Sequence, residues 1–552
     1  MIDRPLSIRL VPMLSTVVLA WAAGAQGESE LKQVQVPQYP IRTEVSRDVG
    51  ELVASGAVEP RSAVSVDEPK DGCWLLRTPR GPRELRWYRN LLNARPGSPD
   101  LTIDPKLRGT YDVYVQIRAV DAGRTPDGEL KPEDAVPMAF GLELDDGSRR
   151  ELVGAKGFPA HHFDLEVLAC HAWPMDGRKL ILRDLGRLVY LYGFRFVPCV
   201  TARPGGTDEQ ERKVTRWLAT DHVTIVQEPD KHFAFPGVAL LHNGDLAVVY
   251  REGTIHGVER TGKVSLSRSV DGGRAWLPRV TALDRPDTDD RDPSIFQMSD
   301  GTVLLTSADC LLTSTDGART WSEPMPTPVF GPKGPVEDEE GAILYGGLRR
   351  VVQRDFTQIR GRPAVLQANA VYRSQDKGKS WQPAGTATYT LYVKGPLDYV
   401  WYDEPFLGVV PNQFWVFAVR VDLDGFARVI RSPDRGRTWG PILKTPVWGY
   451  PQHLLPLKDG RLLMTYGYRR PPWGVRACLS HDGGKTWDIE NEIILRMDGG
   501  TPEGQERKVG DADLGYPVSV ELDDGTIFTV YYHNTAGSNC FIAGTFWRAP
   551  SP

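Results

Sequence analysis

The chain has 552 residues and a formal net charge of −5. It therefore lacks the excess of basic residues that is typical of nucleic-acid-binding proteins. Its length exceeds what one hydrophobic core usually fills, which predicts more than one domain. The 55 glycines, 44 prolines and 15 tryptophans indicate many tight turns and aromatic anchors. Together with few long helical stretches, this composition favours an all-β protein.

The first 25 residues have the features of a secretion signal. Arg4 and Arg9 supply positive charge, a mostly apolar run covers 11–23, and Ala23-Gly24-Ala25 is a small-residue cleavage site. The run is shorter than the roughly 20 apolar residues that a membrane span needs. We therefore expect a secreted or periplasmic protein that has no membrane span after residues 1–25 are removed.

Residues 36–200 contain short apolar segments bounded by Gly, Asp and Pro turns, which predicts a β-sandwich. Trp74 and Trp87 in this region either stack on a sugar ring or pack in the core. Carbohydrate binding by the sandwich is a hypothesis that depends on analogy with other modules. Residues 201–221 are predicted to form a polar linker.

Cysteines are spread along the whole chain. Their number is compatible with disulfide bonds in an oxidising compartment, although the sequence does not determine the pairing. Their wide spacing does not resemble a zinc site, and we expect neither a metal ion nor another cofactor. The six cysteines are Cys73, Cys170, Cys199, Cys310, Cys478 and Cys540.

The region from 222 to 552 contains an eight-residue pattern, Ser-x-Asp-x-Gly-x-x-Trp, which we call the box. The Asp side chain can accept hydrogen bonds from the backbone of a turn, and Gly permits a positive φ. The Trp can pack over the adjacent strands while its N–H finds a partner. We therefore interpret the box as a structural turn and assign no catalytic role to its carboxylates. The five copies begin at Ser269, Ser314, Ser374, Ser432 and Ser480.

A second repeat consists of apolar hairpins that begin just after a proline. Six hairpins and five boxes predict six four-stranded blades, which is a six-bladed β-propeller over 222–552. The last hairpin has no box, and we expect residues 222–226 to complete this final blade and close the ring. The hairpins begin at Pro236, Pro293, Pro335, Pro405, Pro451 and Pro517.

Hairpin geometry predicts which side chains surround one mouth of the central channel. They are the residues just before each proline and those seven or eight residues after each turn. Arginines, carboxylates and tyrosines at one mouth suit an anionic sugar, because the planar guanidinium matches a carboxylate in two hydrogen bonds. The predicted mouth residues are Arg251, Asp292, Asp309, Arg349, Glu404, Arg420, Tyr450, Tyr468, Tyr516, Tyr532 and His533.

These boxes and hairpins resemble the sialidases and their BNR-repeat relatives over roughly residues 222–548. The resemblance implies an exo-acting glycoside hydrolase that removes a terminal acidic sugar, sialic acid or a uronic acid, from a glycan. It implies that Tyr516 is the nucleophile and that Glu404 activates it. It also implies that Arg420 and Arg476 bind the substrate carboxylate.

The chain departs from the family pattern in two places. The first arginine of the family's triad is absent, because the segment here reads Ala234-Phe235-Pro236. The loop that carries the family's acid/base Asp contains none, so Glu252 and His256 are the candidate proton donors. Arg469, next to Arg470 and a pair of prolines, is a further candidate ligand of a different acidic sugar.

Two other functions stay open at this point. A non-catalytic glycan-binding propeller is favoured by the missing Arg and Asp. A polysaccharide lyase could use Tyr450, His453 and His533 at the same mouth. Tyr516 and Glu404 also have structural alternatives, as a cap on the propeller floor and as part of an ion pair.

Overall fold

The computed structural model describes most of the chain apart from the N-terminal segment and several loops. The signal peptide predicted over 1–25, Trp87 and Cys199 lie outside the described residues. No helix among the described residues has the length and apolar character to cross a membrane. The described residues are 31–38, 45–78, 90–95, 97–119, 138–156, 163–185, 190–198, 212–350, 358–359, 362–393, 401–410, 413–421, 424–500, 512–535 and 538–550.

The N-terminal part of the chain is built from short strands and one short helix. The helix α1 (Val49–Ala54) begins at Asp48, whose side chain accepts hydrogen bonds from the backbone N–H groups of Gly50 and Glu51. The strands are β1 (Leu31–Gln38), β2 (Val45–Asp48), β3 (Val58–Glu59), β4 (Val64–Val66), β5 (Trp74–Arg77), β6 (Leu91–Asn93), β7 (Leu101–Ile103), β8 (Thr110–Ala119), β9 (Met138–Leu144), β10 (Arg150–Lys156), β11 (Phe163–Pro174), β12 (Leu180–Asp184) and β13 (Tyr190–Pro198).

Two sheets of these strands pack face to face. One has the order β11-β8-β13-β6-β5-β4, and the other contains β10-β9-β12-β7-β3. Alternating apolar side chains such as Val113, Leu142 and Phe194 fill the space between them. This arrangement confirms the predicted sandwich. Trp74 is fully buried in this core and its Nε1 donates to the carbonyl of Pro99 at 2.7 Å, so it is not a sugar-stacking residue.

The 26 described strands that follow the sandwich include the 24 strands of six four-stranded antiparallel blades. They are β14 (Arg212–Ala219), β15 (Asp221–Val226), β16 (His232–Leu240), β17 (Leu246–Gly253), β18 (Lys263–Ser269), β19 (Val280–Leu283), β20 (Ser294–Gln297), β21 (Val303–Ser307), β22 (Cys310–Ser314), β23 (Met325–Pro326), β24 (Val336–Glu337), β25 (Ile343–Arg350), β26 (Gln358–Ile359), β27 (Arg362–Ser374), β28 (Gln382–Val393), β29 (Asp403–Val410), β30 (Phe414–Arg420), β31 (Phe426–Ser432), β32 (Leu443–Trp448), β33 (Gln452–Pro456), β34 (Leu462–Tyr468), β35 (Gly474–Ser480), β36 (Ile493–Arg496), β37 (Gly515–Glu521), β38 (Ile527–His533) and β39 (Phe541–Trp547).

Successive groups of strands make blades 1 to 6, and the last blade takes its outer strand from the start of this region. Blades 1, 2 and 4 are the sheets β16–β19, β20–β23 and β29–β32, and blade 6 has the order β15-β39-β38-β37. Blade 3 is β24, β25, β27 and β28, and blade 5 is β33–β36. Because β15 pairs with β39, residues 221–226 close the ring, as the sequence predicts.

The expected linker over 201–221 is wrong in its second half. Arg212–Ala219 forms β14, which pairs with β1 and also with β36 of blade 5. The alternation of polar and apolar side chains in this segment allows it to cover the outer edge of the blade. The division of the chain at residues 36, 200 and 222 otherwise stays a prediction.

The boxes act as turns. In the first copy, Ser269 Oγ accepts from the backbone N–H of Gly273 at 2.7 Å, and Asp271 accepts from Ala275 N at 2.9 Å. The Trp276 ring stacks on Phe528 of the neighbouring blade with the centroids 6.1 Å apart. Contrary to expectation, Trp276 Nε1 is buried and has no hydrogen-bond partner among the described residues. The indole therefore contributes apolar packing between blades.

The sandwich and the propeller are joined by strand pairing and by a buried ionic network. Strand β26, which lies between β25 and β27 in the chain and pairs with β27, also pairs with β10 of the sandwich. Arg195 of the sandwich pairs with Glu166, and its Nη1 lies 3.7 Å from Asp424 of blade 4. Asp424 also accepts from Arg428 Nη2 at 2.7 Å.

The cysteines provide no support for the disulfide hypothesis within the described residues. Cys73, Cys310 and Cys478 are buried free thiols. Burial raises the pKa of Cys310 to about 11, so its thiol stays protonated at neutral pH.

Candidate active site

The residue before the inner-strand proline has an unusual backbone conformation in four blades. Phe235, Asp292, Glu404 and Tyr516 have φ values of 56°, 51°, 43° and 49°. A positive φ is unfavourable for residues with a Cβ atom and costs about 1–3 kcal/mol at each position. In blades 1, 4 and 6 the strand register also shifts at this point. The same strained kink therefore recurs around the ring, and three of these residues are polar candidates for chemistry.

Two of these residues meet across the channel mouth. The Tyr516 hydroxyl donates to Oε1 of Glu404, and Arg420 Nη1 donates to the other carboxylate oxygen at 2.8 Å. The Arg420 guanidinium lies 4.5 Å from the centroid of the Tyr450 ring. Exposed fractions of 13% for Glu404 and 16% for Arg420 leave the pair within reach of solvent. The structure thus brings together four of the residues that the sequence singled out.

The protonation states of the pair follow from burial and charge. Burial acts to raise the pKa of Glu404, but the charge and the hydrogen bond of Arg420 lower it more, so the pKa lies below its ordinary value. Burial, with the charges of Glu404 and Asp292, raises the pKa of Tyr516 well above its ordinary value. At neutral pH the pair is therefore an ionised carboxylate and a neutral phenol.

Asp292 lies beside this pair in a different electrostatic state. Burial raises its pKa to about 6, the Glu404 charge acts in the same direction, and the Arg291 charge opposes the rise. Arg291 Nε donates to Asp292 at 3.3 Å, and its guanidinium lies 4.9 Å from the centroid of the Phe235 ring. Sequence reasoning missed Arg291, although its position next to a predicted mouth residue was a usable signal.

Two further cations approach the Tyr516 ring. Arg469 Nε donates to the carbonyl of Leu514 at 3.0 Å, and its guanidinium lies 5.9 Å from the ring centroid. Lys333 is buried, and its Nζ lies 4.9 Å from the same centroid. Arg469 was a predicted ligand. Lys333 was missed because the prediction considered only the residue directly before each proline, which in this blade is Gly334.

A second polar group lies on the other side of the Phe235 ring. His256 Nδ1 and His232 Nε2 are 2.8 Å and 2.9 Å from different oxygens of Asp513. Phe235 contacts both the His256 ring, at 5.4 Å, and the Tyr516 ring, at 4.8 Å, between centroids. The His256 side chain is 49% exposed, so its Nε2 can reach a ligand. His256 was a predicted proton donor, and the structure adds Asp513 as the group that orients it.

The two histidines and Asp513 are the described residues whose geometry could hold a metal ion, because their ligand atoms lie within 4.8 Å of one another. Each nitrogen already lies at hydrogen-bond distance from its own carboxylate oxygen. Burial acts to raise the pKa of Asp513, but the hydrogen bonds of both histidines lower it well below its ordinary range. We therefore describe the group as a hydrogen-bonded chain with an ionised centre.

Arg251 is not a substrate ligand, contrary to the sequence prediction. Its side chain is fully buried, and Nε donates to Asp289 at 2.7 Å. Its Nη1 and Nη2 donate to the carbonyls of Ile255 and Gly257, at 2.8 Å and 3.2 Å. These carbonyls flank His256, so Arg251 holds the loop that presents this histidine.

Glu252 is not a suitable proton donor, which also corrects the prediction. Its carboxylate accepts from Arg279 Nε at 2.9 Å, from Ser265 Oγ at 2.8 Å and lies 3.2 Å from Lys231 Nζ. Burial acts to raise its pKa, but these hydrogen bonds lower it to about 2. It lines a separate cavity of about 310 Å³ whose described lining does not include Tyr516 or Glu404.

Arg476 and Arg349 lie outside the cluster of described contacts around Tyr516. Arg476 is buried, pairs with Glu492, and lies 3.4 Å from the centroid of the Tyr468 ring. Its charge is thus neutralised within blade 5. Arg349 is exposed at the end of β25, where its guanidinium lies 5.8 Å from the Tyr372 ring.

The histidines of the lyase alternative do not join Tyr450 in one group. The His453 ring packs against Phe406 at 4.6 Å, and burial lowers its pKa well below the ordinary value. His533 is fully buried, and its Nε2 lies 3.0 Å from Asp498. Neither side chain is placed to exchange a proton with a ligand at the mouth.

Comparison with known proteins shows similarity at the level of the fold. No family model matches the chain, and the comparison with curated proteins found no match. A Dyadobacter fermentans protein of unknown function has 25% sequence identity and a TM-score of 0.50, over 59% of this chain and 97% of that one.

Two glycosidases of known structure are similar at lower identity. The Hadza microbial sialidase Hz136 has 15% identity and a TM-score of 0.43, over 81% of this chain and 95% of that one. An α-L-arabinofuranosidase from Fusarium graminearum has 13% identity and a TM-score of 0.31, over 60% of this chain and 98% of that one.

Proposed function

We propose that this protein is an exo-acting glycoside hydrolase that removes a terminal acidic sugar from a glycan, with Tyr516 as its nucleophile. The observation that carries the proposal is the hydrogen bond from the Tyr516 hydroxyl to the ionised carboxylate of Glu404, which Arg420 holds in place. A phenol needs a base to become a nucleophile near neutral pH, since its ordinary pKa is about 10. Glu404 is positioned to be that base.

In the first step, Glu404 takes the phenolic proton as the Tyr516 oxygen attacks the anomeric carbon. The bond from that carbon to the leaving oxygen breaks, and His256 donates its Nε2 proton to the leaving oxygen. The products are a sugar bound covalently to Tyr516, a protonated Glu404, a neutral His256 and the released alcohol. A tyrosine nucleophile is a known variation among glycoside hydrolases.

In the second step, water attacks the anomeric carbon and the neutral His256 accepts a proton from it. The bond between the sugar and Tyr516 breaks, and Glu404 returns its proton to the phenolate oxygen. The enzyme regains its starting state, and the sugar leaves with the configuration of the substrate. Asp513 stabilises the imidazolium in both steps through its hydrogen bond to Nδ1.

The charge balance supports an acidic sugar. Arg291, Arg420 and Arg469 lie around the Tyr516–Glu404 pair, and the pKa of Asp292 is raised to about 6, so this carboxyl loses negative charge as the pH falls below neutral. A neutral phenol also does not repel an anionic substrate as an attacking carboxylate would. Sialic acid and uronic acids both fit this requirement, and a secreted or periplasmic location would give access to such glycans.

Glycan binding without catalysis is the second candidate. It is favoured by the small exposed fraction of Tyr516, 6%, which leaves little of the ring open to a ligand. The absence of an arginine at Ala234 favours it as well. The lyase alternative is set aside because His453 is buried against Phe406 with a lowered pKa and His533 is buried beside Asp498.

The test is hydrolysis of fluorogenic sialosides, uronides and arabinofuranosides by the wild-type protein and by Tyr516→Phe. We expect release from at least one acidic glycoside, and a loss of about 10²-fold or more in the variant. Tyr111→Phe is the control, because it alters a half-buried tyrosine of the sandwich whose hydroxyl donates to the Arg108 carbonyl. Full activity in Tyr516→Phe would refute the nucleophile. An inert protein that binds acidic glycans on an array would establish the second candidate.

A further inference from the structure

Lys333 occupies a loop whose backbone is fixed by two blades. Ser294 Oγ donates to the Lys333 carbonyl at 2.9 Å, and the Tyr345 hydroxyl donates to the carbonyl of Gly331 at 3.0 Å. Gly334 has a φ of 74°, and a Cβ there would lie 2.4 Å from Ser294 Oγ. Only glycine fits at position 334, which directly precedes Pro335. The side chain that blade 3 directs to the mouth is therefore that of Lys333, whereas other blades use the residue directly before the proline.

The Lys333 side chain crosses the channel toward the nucleophile. It is 4% exposed, and its Nζ donates to the carbonyl of Pro517 at 3.2 Å. Pro517 follows Tyr516 in blade 6, which is opposite blade 3 in a ring of six blades. The ammonium group is thus fixed 4.9 Å from the Tyr516 ring centroid.

No carboxylate among the described residues forms an ion pair with Lys333. The titratable groups that face it from the surrounding elements are Glu404, Asp292, Arg469, His453 and Tyr516. Burial lowers the pKa of Lys333 to about 7, although the charges of Glu404 and Asp292 oppose this fall. A buried ammonium group without a direct counter-ion is costly, so a methionine would stabilise the same space better.

We propose that Lys333 is a positioning residue whose buried positive charge keeps Glu404 ionised and makes the proton of Tyr516 easier to remove. This inference rests on the proposed function, because it assigns a role within the Tyr516–Glu404 pair. A nearby cation favours the ionised form of both Glu404 and Tyr516. It therefore stabilises the negative charge before proton transfer, when it lies on Glu404, and afterwards, when it lies on the Tyr516 oxygen. Arg420 contacts Glu404 directly and its charge also acts to lower the pKa of Tyr516, whereas Lys333 faces the phenol ring itself.

The alternative is a purely structural brace across the channel. A brace depends on the hydrogen bond to Pro517 and predicts a change in thermal stability only. The electrostatic role depends on charge and predicts that arginine can replace lysine in part. Lys458 offers a matched control, because its Nζ also donates to a carbonyl of blade 6, that of Leu522, at 2.9 Å, but at an exposed turn.

The experiment uses infrared spectroscopy to follow the protonation of Glu404 as the pH is lowered from 7. The band of the protonated Glu404 carboxyl group is identified because it is absent in Glu404→Gln. We expect the band to form about one pH unit higher in Lys333→Met than in the wild type, with Lys333→Arg in between and Lys458→Met unchanged. The acidic limb of kcat/KM should move in the same direction. Melting temperatures show whether each variant is folded.

An unchanged Glu404 titration in folded Lys333→Met would overturn the proposal. The proposal would also be overturned if the Glu404 titration shifted as much in Lys458→Met as in Lys333→Met. Because the infrared readout needs no substrate, it can succeed or fail independently of hydrolysis. Activity that persists in Tyr516→Phe would refute the proposed function and leave the titration result standing.

Discussion

Replacement of Glu404 by glutamine tests the chemistry at the mouth most directly. The amide has nearly the same size and can still accept a hydrogen bond from the Tyr516 hydroxyl. It cannot take the phenolic proton, and it removes the negative charge that faces Arg420 at 2.8 Å. The substitution therefore removes the proposed base and the counter-ion of the arginine while it preserves packing.

The expected loss of activity is large. A positioned general base contributes about 10²–10⁴-fold, which corresponds to roughly 3–5 kcal/mol of barrier. The loss of stability is smaller. Removal of one partner from a fully buried ion pair costs about 3–5 kcal/mol, but Arg420 keeps 16% exposure and stacks on Tyr450 at 4.5 Å. We expect roughly 1–3 kcal/mol in the free energy of unfolding.

The assay is a double-mutant cycle on kcat/KM with Tyr516→Phe. Because the base acts only through the Tyr516 hydroxyl, Glu404→Gln should reduce activity much less in the Phe background than in the wild type. Urea unfolding of the same proteins gives the stability change separately.

Two results would refute the reasoning. Hydrolysis within about threefold of wild type in Glu404→Gln would exclude a general base at this position. Independent, multiplying effects of the two substitutions would show that Glu404 does not act through Tyr516.

Three further predictions concern other acidic groups. Asp513→Asn should lower kcat/KM by up to about 10²-fold, because His256 loses the carboxylate that orients its ring; an unchanged kcat/KM would argue against His256 as the acid. Asp292 has its pKa raised from 3.8 to about 6, so its contribution to stability is full below pH 3.8 and is lost as pH rises through 6. Asp292→Asn should therefore raise the free energy of urea unfolding by up to about 3 kcal/mol at pH 8 and have little effect at pH 3.5. Asp424→Ala should lower the melting temperature, since it leaves Arg195 and its neighbouring cations without this carboxylate in the interface between sandwich and propeller; an unchanged melting temperature would exclude a stabilising role for this network.

The propeller could be predicted from the sequence because its signals are local. Each box forms its hydrogen bonds within eight residues, as Ser269, Asp271 and Gly273 show. The prolines mark the inner strands in the same way, and the residues before them come together at one mouth because blade symmetry repeats a local geometry. This reasoning correctly united Glu404 and Tyr516, which are 112 residues apart.

Arg251 and Arg420 show where local reasoning stops. They hold equivalent positions in their hairpins, opposite Ala234 and Asp403, each two residues before the inner-strand proline. Arg420 turns to Glu404, whereas Arg251 turns to Asp289 and to the carbonyls beside His256. Two arginines in the same strand register thus have different partners. Arg420 binds the carboxylate beside Tyr516, whereas Arg251 binds Asp289 and the loop that carries His256.

The sequence by itself determined the number of blades, the closing strand and the ring of residues before the prolines, because short-range turns and strand alternation encode them. Only the tertiary structure decided which charged side chains neutralise one another. It thereby decided which charged side chains are left near Tyr516 and Glu404. Lys333 reaches Pro517, and Asp513 reaches His256, across gaps of 184 and 257 residues. The energy of a buried charge depends on every group around it in space, and no local pattern in the chain records those neighbours.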